Sequence, residues 1–200
     1  MHENEADQAL RRSARSEAGF VDMTLANPAN AKILARLHEL DASDVWLVAG
    51  CLCQTVWNVL SGRPPEEAIK DYDIFYFDGE DLSWEAEDRV IRKADALFAG
   101  LDVAIEVRNQ ARVHLWYEAH FGTDYPRLSS SADGIARFPV RGTCVGLRMR
   151  GGRPNLCAPY GLEDLVNGIL RPNELLGRPE LFTAKAESYR ERWPWLRIAA

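Results

Sequence analysis

The stretch KDYDIFYFD, residues 70–78, sets Asp71 and Asp73 two positions apart at the head of an apolar, aromatic run. Aromatic and β-branched residues in a short run bounded by charge read as a strand. Side chains in a strand alternate between faces, so positions i and i+2 project the same way, about 7 Å apart along the chain. The two carboxylates therefore stand side by side on one face, and their repulsion needs a reason.

Outward from this strand the chain alternates elements. Upstream, DVWLVAG (44–50) is a β-favouring run ended by glycine, and CLCQTVWNVLSG (51–62) reads as a helix closed by Gly62. Downstream, SWEAEDRVIRKADALFAG (83–100) has the spacing of an amphipathic helix, with Ser83 as its cap. LDVAIEVR (101–108) is the next strand. Its alternation puts Val103, Ile105 and Val107 on one face and Asp102, Ala104, Glu106 and Arg108 on the other. If this strand lies beside the first, Glu106 joins Asp71 and Asp73 as a third acid. Such a set suits Mg²⁺ or Mn²⁺, which takes a few carboxylate oxygens and completes its shell with water and phosphate.

The remaining elements are a helix capped by Asn27 in NPANAKILARLHELDA (27–42), a helix over QARVHLWYEAHFG (110–122), a hairpin around Gly151 and Gly152, and helices over GLEDLVNGIL (161–170) and PELFTAKAESYRERW (179–193). Strands separated by helices predict an α/β fold, a mixed sheet flanked by helices. Three regions are expected: a polar, mobile N-terminal segment over 1–25, a central domain over 26–172 and a C-terminal helical extension over 173–200.

The chain has 200 residues, 46% hydrophobic and 27% charged, an ordinary globular composition. Its net charge of −6 argues against binding extended nucleic acid, though a local group of arginines suffices for a small anion. Cys51, Cys53, Cys144 and Cys157 form no metal-binding spacing and read as free thiols. No apolar run is long enough to cross a membrane, and the first twenty residues lack the apolar core of a signal peptide, so a cytoplasmic location is expected.

Taken alone, an Asp-x-Asp pair more often caps a turn than binds a metal. The order of Gly50, the acid pair and Glu106 is what a turn leaves unexplained. In AGCLCQTVWN (49–58), DYDIFYF (71–77), EVRNQARVHLWY (106–117), FPVRGTCVGLR (138–148) and APYGLEDLVNGILRPN (158–173) the sequence resembles the nucleotidyltransferase superfamily that includes DNA polymerase beta and the aminoglycoside nucleotidyltransferases. It looks closest to a bacterial branch of nucleotidyltransferase-like proteins. The resemblance implies a polymerase-beta-like fold and Mg²⁺- or Mn²⁺-dependent transfer of a nucleoside monophosphate from a nucleoside triphosphate to an unidentified acceptor. It implies that Asp71, Asp73 and Glu106 are the catalytic and metal-binding acids, with Glu106 on the second metal or acting as base. It also implies that Gly50 and Cys51 approach the phosphates. The chain departs from the pattern in having Cys51 as the second small residue, a longer gap from Gly50 to the acids, and Glu as the third acid. Lys70 and Arg108 are candidate nucleotide-binding cations beside these acids. Weaker candidates are Asn109, Gln110, Arg112, His114 and Trp116 after the strand, and the basic run Arg141, Arg148, Arg150 and Arg153. A non-catalytic nucleotide-binding relative and a metal-dependent hydrolase are the competing expectations.

Overall fold

A computed structural model describes residues 5–199. At its centre is a five-stranded mixed sheet of β1 (Trp46–Val48), β2 (Asp71–Tyr76), β3 (Ala104–Asn109), β4 (Gly146–Arg150) and β5 (Arg153–Cys157), in the order β3-β2-β1-β4-β5. β1 runs antiparallel to both β2 and β4, while β2 and β3 are parallel. A parallel pair needs a crossover, and helix α5 (Trp84–Phe98) supplies it. As expected, Ser83 caps α5, its hydroxyl accepting from the Ala86 amide at 3.2 Å. β4 and β5 form a hairpin whose two turn residues, Gly151 and Gly152, both have positive φ (58° and 75°), the backbone that a two-residue hairpin of native twist requires.

One face of the sheet is closed. Leu47, Tyr72, Ile74, Tyr76, Val107 and Leu147 join a core with side chains of α4 (Gly50–Leu60), α5 and the earlier helices α2 (Glu17–Leu25) and α3 (Pro28–Arg36). Asn27 caps α3 and also donates to the Tyr72 hydroxyl (3.0 Å) and to Thr55 (3.1 Å), tying that helix to β2 and α4. The opposite face is partly open. There Trp46, Val48 and Phe75 pack on Ile135 and Phe138, with the Phe75 and Phe138 rings stacked at 5.4 Å, and the rest of the face is left to Asp71, Asp73, Glu106 and Arg108.

The expectation of a mobile polar segment over 1–25 is corrected for residues 5–25; residues 1–4 lie outside the described residues. α1 (Glu5–Ala14) and α2 are helical, with Ala14, Phe20, Val21 and Met23 buried in the main core. The helix expected over GLEDLVNGIL is reduced to α8 (Glu163–Val166). Gly168, at φ 66°, ends it, and Ile169–Leu170 pairs in parallel with Arg197–Ile198. A side chain at Gly168 would drive its Cβ into the Trp195 ring. The segment read as a C-terminal extension carries α9 (Pro179–Arg192), which packs into the same core. The Tyr189 and Trp193 rings lie 5.0 and 5.5 Å from Trp57. Among the described residues no helix is long and apolar enough to cross a membrane.

Ala49, joining β1 to α4, is held at φ 49°, ψ −108°, a region that side chains with a Cβ rarely enter. Such a residue stores roughly 1 kcal/mol or more. Ala49→Gly should therefore raise the thermal midpoint by about 2–4 °C, the rise that each kcal/mol brings in a chain of this size. Differential scanning calorimetry of the two proteins checks this, and an unchanged or lower midpoint would count against strain at this turn.

Candidate functional site

The register of β2 against its neighbours builds the acidic face. Asp73 lies opposite Val48 on one side and Glu106 on the other; Asp71 lies opposite Ala104, and Phe75 opposite Arg108. The two aspartates and Glu106 thus share one face, as the alternation of both strands requires. The neighbouring turn brings in the start of α4. A Cβ placed on Gly50 would lie 3.7 Å from Asp71 Oδ1, so the first turn of α4 and the head of β2 meet with only a glycine between them.

Among the described residues neither Asp71 nor Asp73 is met by a hydrogen-bond donor or a salt bridge. Burial raises the Asp73 carboxyl to about 7, and the charges of Asp71 and Glu106 add to the rise; Lys185 on α9 and Arg108 oppose it. Glu106 is more open to solvent, and its carboxylate is 3.3 Å from Arg108. Among the described residues no three His, Cys, Asp or Glu side chains are set together to hold a metal ion. What is present is a pair of adjacent carboxylates free of protein donors, with a third acid across the strand. That suits the open magnesium sites in which one or two carboxylates hold the ion and water and phosphate oxygens fill the rest.

The raised Asp73 value has a sign that can be tested. In the unfolded chain this group releases its proton near the ordinary 3.8, whereas in the folded protein it holds the proton up to about 7. Between these values the native state binds more protons than the unfolded state, so stability is fully present at low pH and declines as pH rises toward 7. In a chelator-containing buffer the parent should lose thermal midpoint relative to Asp73→Asn between about pH 4 and pH 7. A gap between the two proteins that stays flat with pH would rule out this coupling.

The other expected site residues fall into two groups. Gly50 stands at the acids, and Arg108 flanks Glu106. Lys70 is exposed just ahead of Asp71. The Cys51 side chain, by contrast, cannot touch a ligand. It is fully buried, its Sγ lies 3.6 Å from the Val48 carbonyl, and burial drives its thiol well above the usual range. Cys51 can meet phosphate only through its backbone.

Several weaker candidates prove to be architectural. Asn109 caps the following turn and exchanges hydrogen bonds with the backbone of Asp78. Arg112 is ion-paired with the buried Glu87, which also accepts from the Asn109 amide. Arg148 lies over the Trp46 ring at 3.8 Å and pairs with Asp44 at 2.8 Å, while Arg141 lies over Tyr160. The basic run is thus divided between separate contacts, with Arg150 and Arg153 on the hairpin.

Residues from α9 were not expected at the site. Lys185 acts on Asp73, and Arg192 is close enough for the Asp71 charge to favour its protonated form, although burial draws its pKa down overall. Arg192 Nη1 donates to the Gln54 side-chain oxygen at 2.8 Å and to the Ala68 carbonyl at 3.0 Å. In sequence these look like ordinary polar positions of an amphipathic helix.

A family model described as "Nucleotidyltransferase" matches residues 35–198. The chain belongs to this nucleotidyltransferase family. The matched span contains all five strands of the central sheet and α9, so the acids and the α9 cations whose charge they feel lie within it. A solved NMR structure, described as revealing a CCA-adding enzyme head domain, is 26% identical, with a TM-score of 0.71, over 92% of this chain and 96% of that one. Among curated proteins no match is found. The mixed α/β fold of this nucleotidyltransferase is therefore that of a nucleotidyltransferase head domain, and its class of chemistry is nucleotidyl transfer.

Proposed function

We propose that this nucleotidyltransferase moves a nucleoside monophosphate from a nucleoside triphosphate to an acceptor, with Mg²⁺ or Mn²⁺ held by Asp71 and Asp73. The observation that carries the reading is the pair itself: two same-face carboxylates without protein donors, against the glycine that opens α4. A divalent ion bound there supplies charge neutralisation and polarisation of the transferred phosphate. Gly50, lacking a side chain, lets the triphosphate approach the first turn of α4, where backbone amides point outward. Lys70, Arg108 and Lys185 are the cations proposed to hold the phosphate oxygens. Glu106 accepts the acceptor's proton as its oxygen attacks the α-phosphorus and pyrophosphate leaves. Most of the rate would come from positioning and charge stabilisation.

A second reading is a relative that binds nucleotide without turning it over. It is favoured by the absence, among the described residues, of three acids set for a metal. Incubation with α-³²P-labelled ATP, CTP, GTP or UTP, divalent ion and a cell extract separates the two. Label carried to an acceptor, lost in Asp73→Asn, supports transfer. Bound but unconverted nucleotide supports the second reading, and label released as free nucleoside monophosphate would indicate hydrolysis instead.

A further inference from the structure

Gln54 lies four residues after Gly50, one helical turn along α4, and is 3% exposed. Its amide nitrogen would lie 2.9 Å from a Cβ on Gly50, and Asp71 Oδ1 is 3.7 Å from the same point. The amide and the carboxylate therefore flank one small space that only glycine leaves open. The orientation of the amide follows from its partner. Arg192 Nη1 is 2.8 Å from the Gln54 side-chain oxygen, and a guanidinium has donors but no acceptor, so the oxygen must face Arg192 and the NH₂ must face Gly50. Among the described residues nothing accepts a hydrogen bond from that NH₂. Arg192 is itself held, by the carbonyls of Ala68 (3.0 Å) and Ser188 (3.2 Å) and by the Trp193 ring at 4.7 Å.

A nearly buried donor with no protein acceptor, beside a glycine and a carboxylate already expected to share a cation with phosphate, is matched by an anionic oxygen of the substrate. We propose that Gln54 donates a hydrogen bond to the triphosphate, and that Arg192 is the positioning residue that aims it. This rests on the proposed nucleoside triphosphate substrate and adds a recognition device reaching from the C-terminal helix to the first turn of α4. Gln54 touches the substrate; Arg192 acts only through Gln54.

The test is calorimetric titration of ATP, CTP, GTP and UTP with Mg²⁺ into the parent, Gln54→Met, Gln54→Glu, Arg192→Met and the double variant Gln54→Met/Arg192→Met, with thermal midpoints as the check on folding. Gln54→Glu keeps an oxygen for Arg192 and so keeps the packing, but turns a second oxygen toward the phosphates. Both Gln54 variants should bind the preferred triphosphate about 10- to 100-fold more weakly, as expected for a lost hydrogen bond to a charged group. Arg192→Met should give a smaller loss, and the double variant should bind no worse than Gln54→Met alone, because a positioning residue has nothing to aim once the amide is gone. Where Arg192→Met lowers the midpoint, Arg192→Lys takes its place in the cycle. A Gln54→Glu protein that binds as tightly as the parent overturns the inference, as do losses at the two positions that simply multiply. A parent that binds none of the four triphosphates overturns the proposed function, and this inference with it.

Discussion

Asp73→Asn should abolish nucleotidyl transfer while leaving the protein folded. The amide has the shape of the carboxylate, and the position lies on the open face of the sheet, not within the helix-covered core. What is lost is the negative charge that a hard cation requires. Removing a single preorganised group at a transition state commonly lowers turnover by about 10²–10³-fold, and loss of the group that holds the ion should do at least as much. The thermal midpoint in chelator should hold or rise, since Asp73 no longer has to be buried beside Asp71 and Glu106. Activity is read as transfer of label from α-labelled nucleotide. A variant that transfers at the parent rate would remove Asp73 from the machinery.

Divalent ion and nucleotide together should raise the melting midpoint of the parent by about 5–11 °C. A ligand at about 100 times its dissociation constant adds about 2.7 kcal/mol to the folded state. In a chain of this length each kcal/mol moves the midpoint by roughly 2–4 °C. Asp71→Asn should melt at or above the parent without metal, because one of the two charges that raise Asp73 has been removed, yet most of the ligand-dependent shift should disappear. Scans against each of the four nucleoside triphosphates, with Mg²⁺ and with Mn²⁺, also report which base is preferred. If Asp71→Asn melts lower than the parent and keeps the full shift, the aspartate pair is a structural cap of the strand and the metal assignment falls.

The local rules made much of this legible. Period-two alternation in 71–76 was enough to set Asp71 and Asp73 on one face, while Glu106 joins them only because β3 lies beside β2 in a register that pairs it with Asp73. Ser83 and Asn27 were recognisable as caps from residue type and position alone. The parts that escaped depend on contacts between distant segments. Gln54 reads as one of three polar residues, with Thr55 and Asn58, in a mostly apolar helix until Arg192, far along the chain, fixes its amide. The i, i+4, i+7 spacing of Lys185, Tyr189 and Arg192 marks one side of a helix but does not say what that side meets. The N-terminal segment misled through composition: its many charges outweighed the short run of Phe20, Val21 and Met23 that anchors it. The inward turn of the Cys51 side chain was likewise not legible, and it leaves only the backbone of Cys51 open to phosphate.

The acids lie on β2 and β3, well upstream of Lys185 and Arg192, which belong to the last long helix. A ribosome therefore releases the acids, together with Lys70 and Arg108, long before the two cations of α9. A nascent chain that has paired its first strands but not yet docked α9 carries facing carboxylates with neither Lys185 to oppose them nor Arg192 to orient Gln54. On the proposed function, maturation of the site is tied to completion of the core around Trp57, Tyr189 and Trp193, because the helix that brings Lys185 and Arg192 packs there.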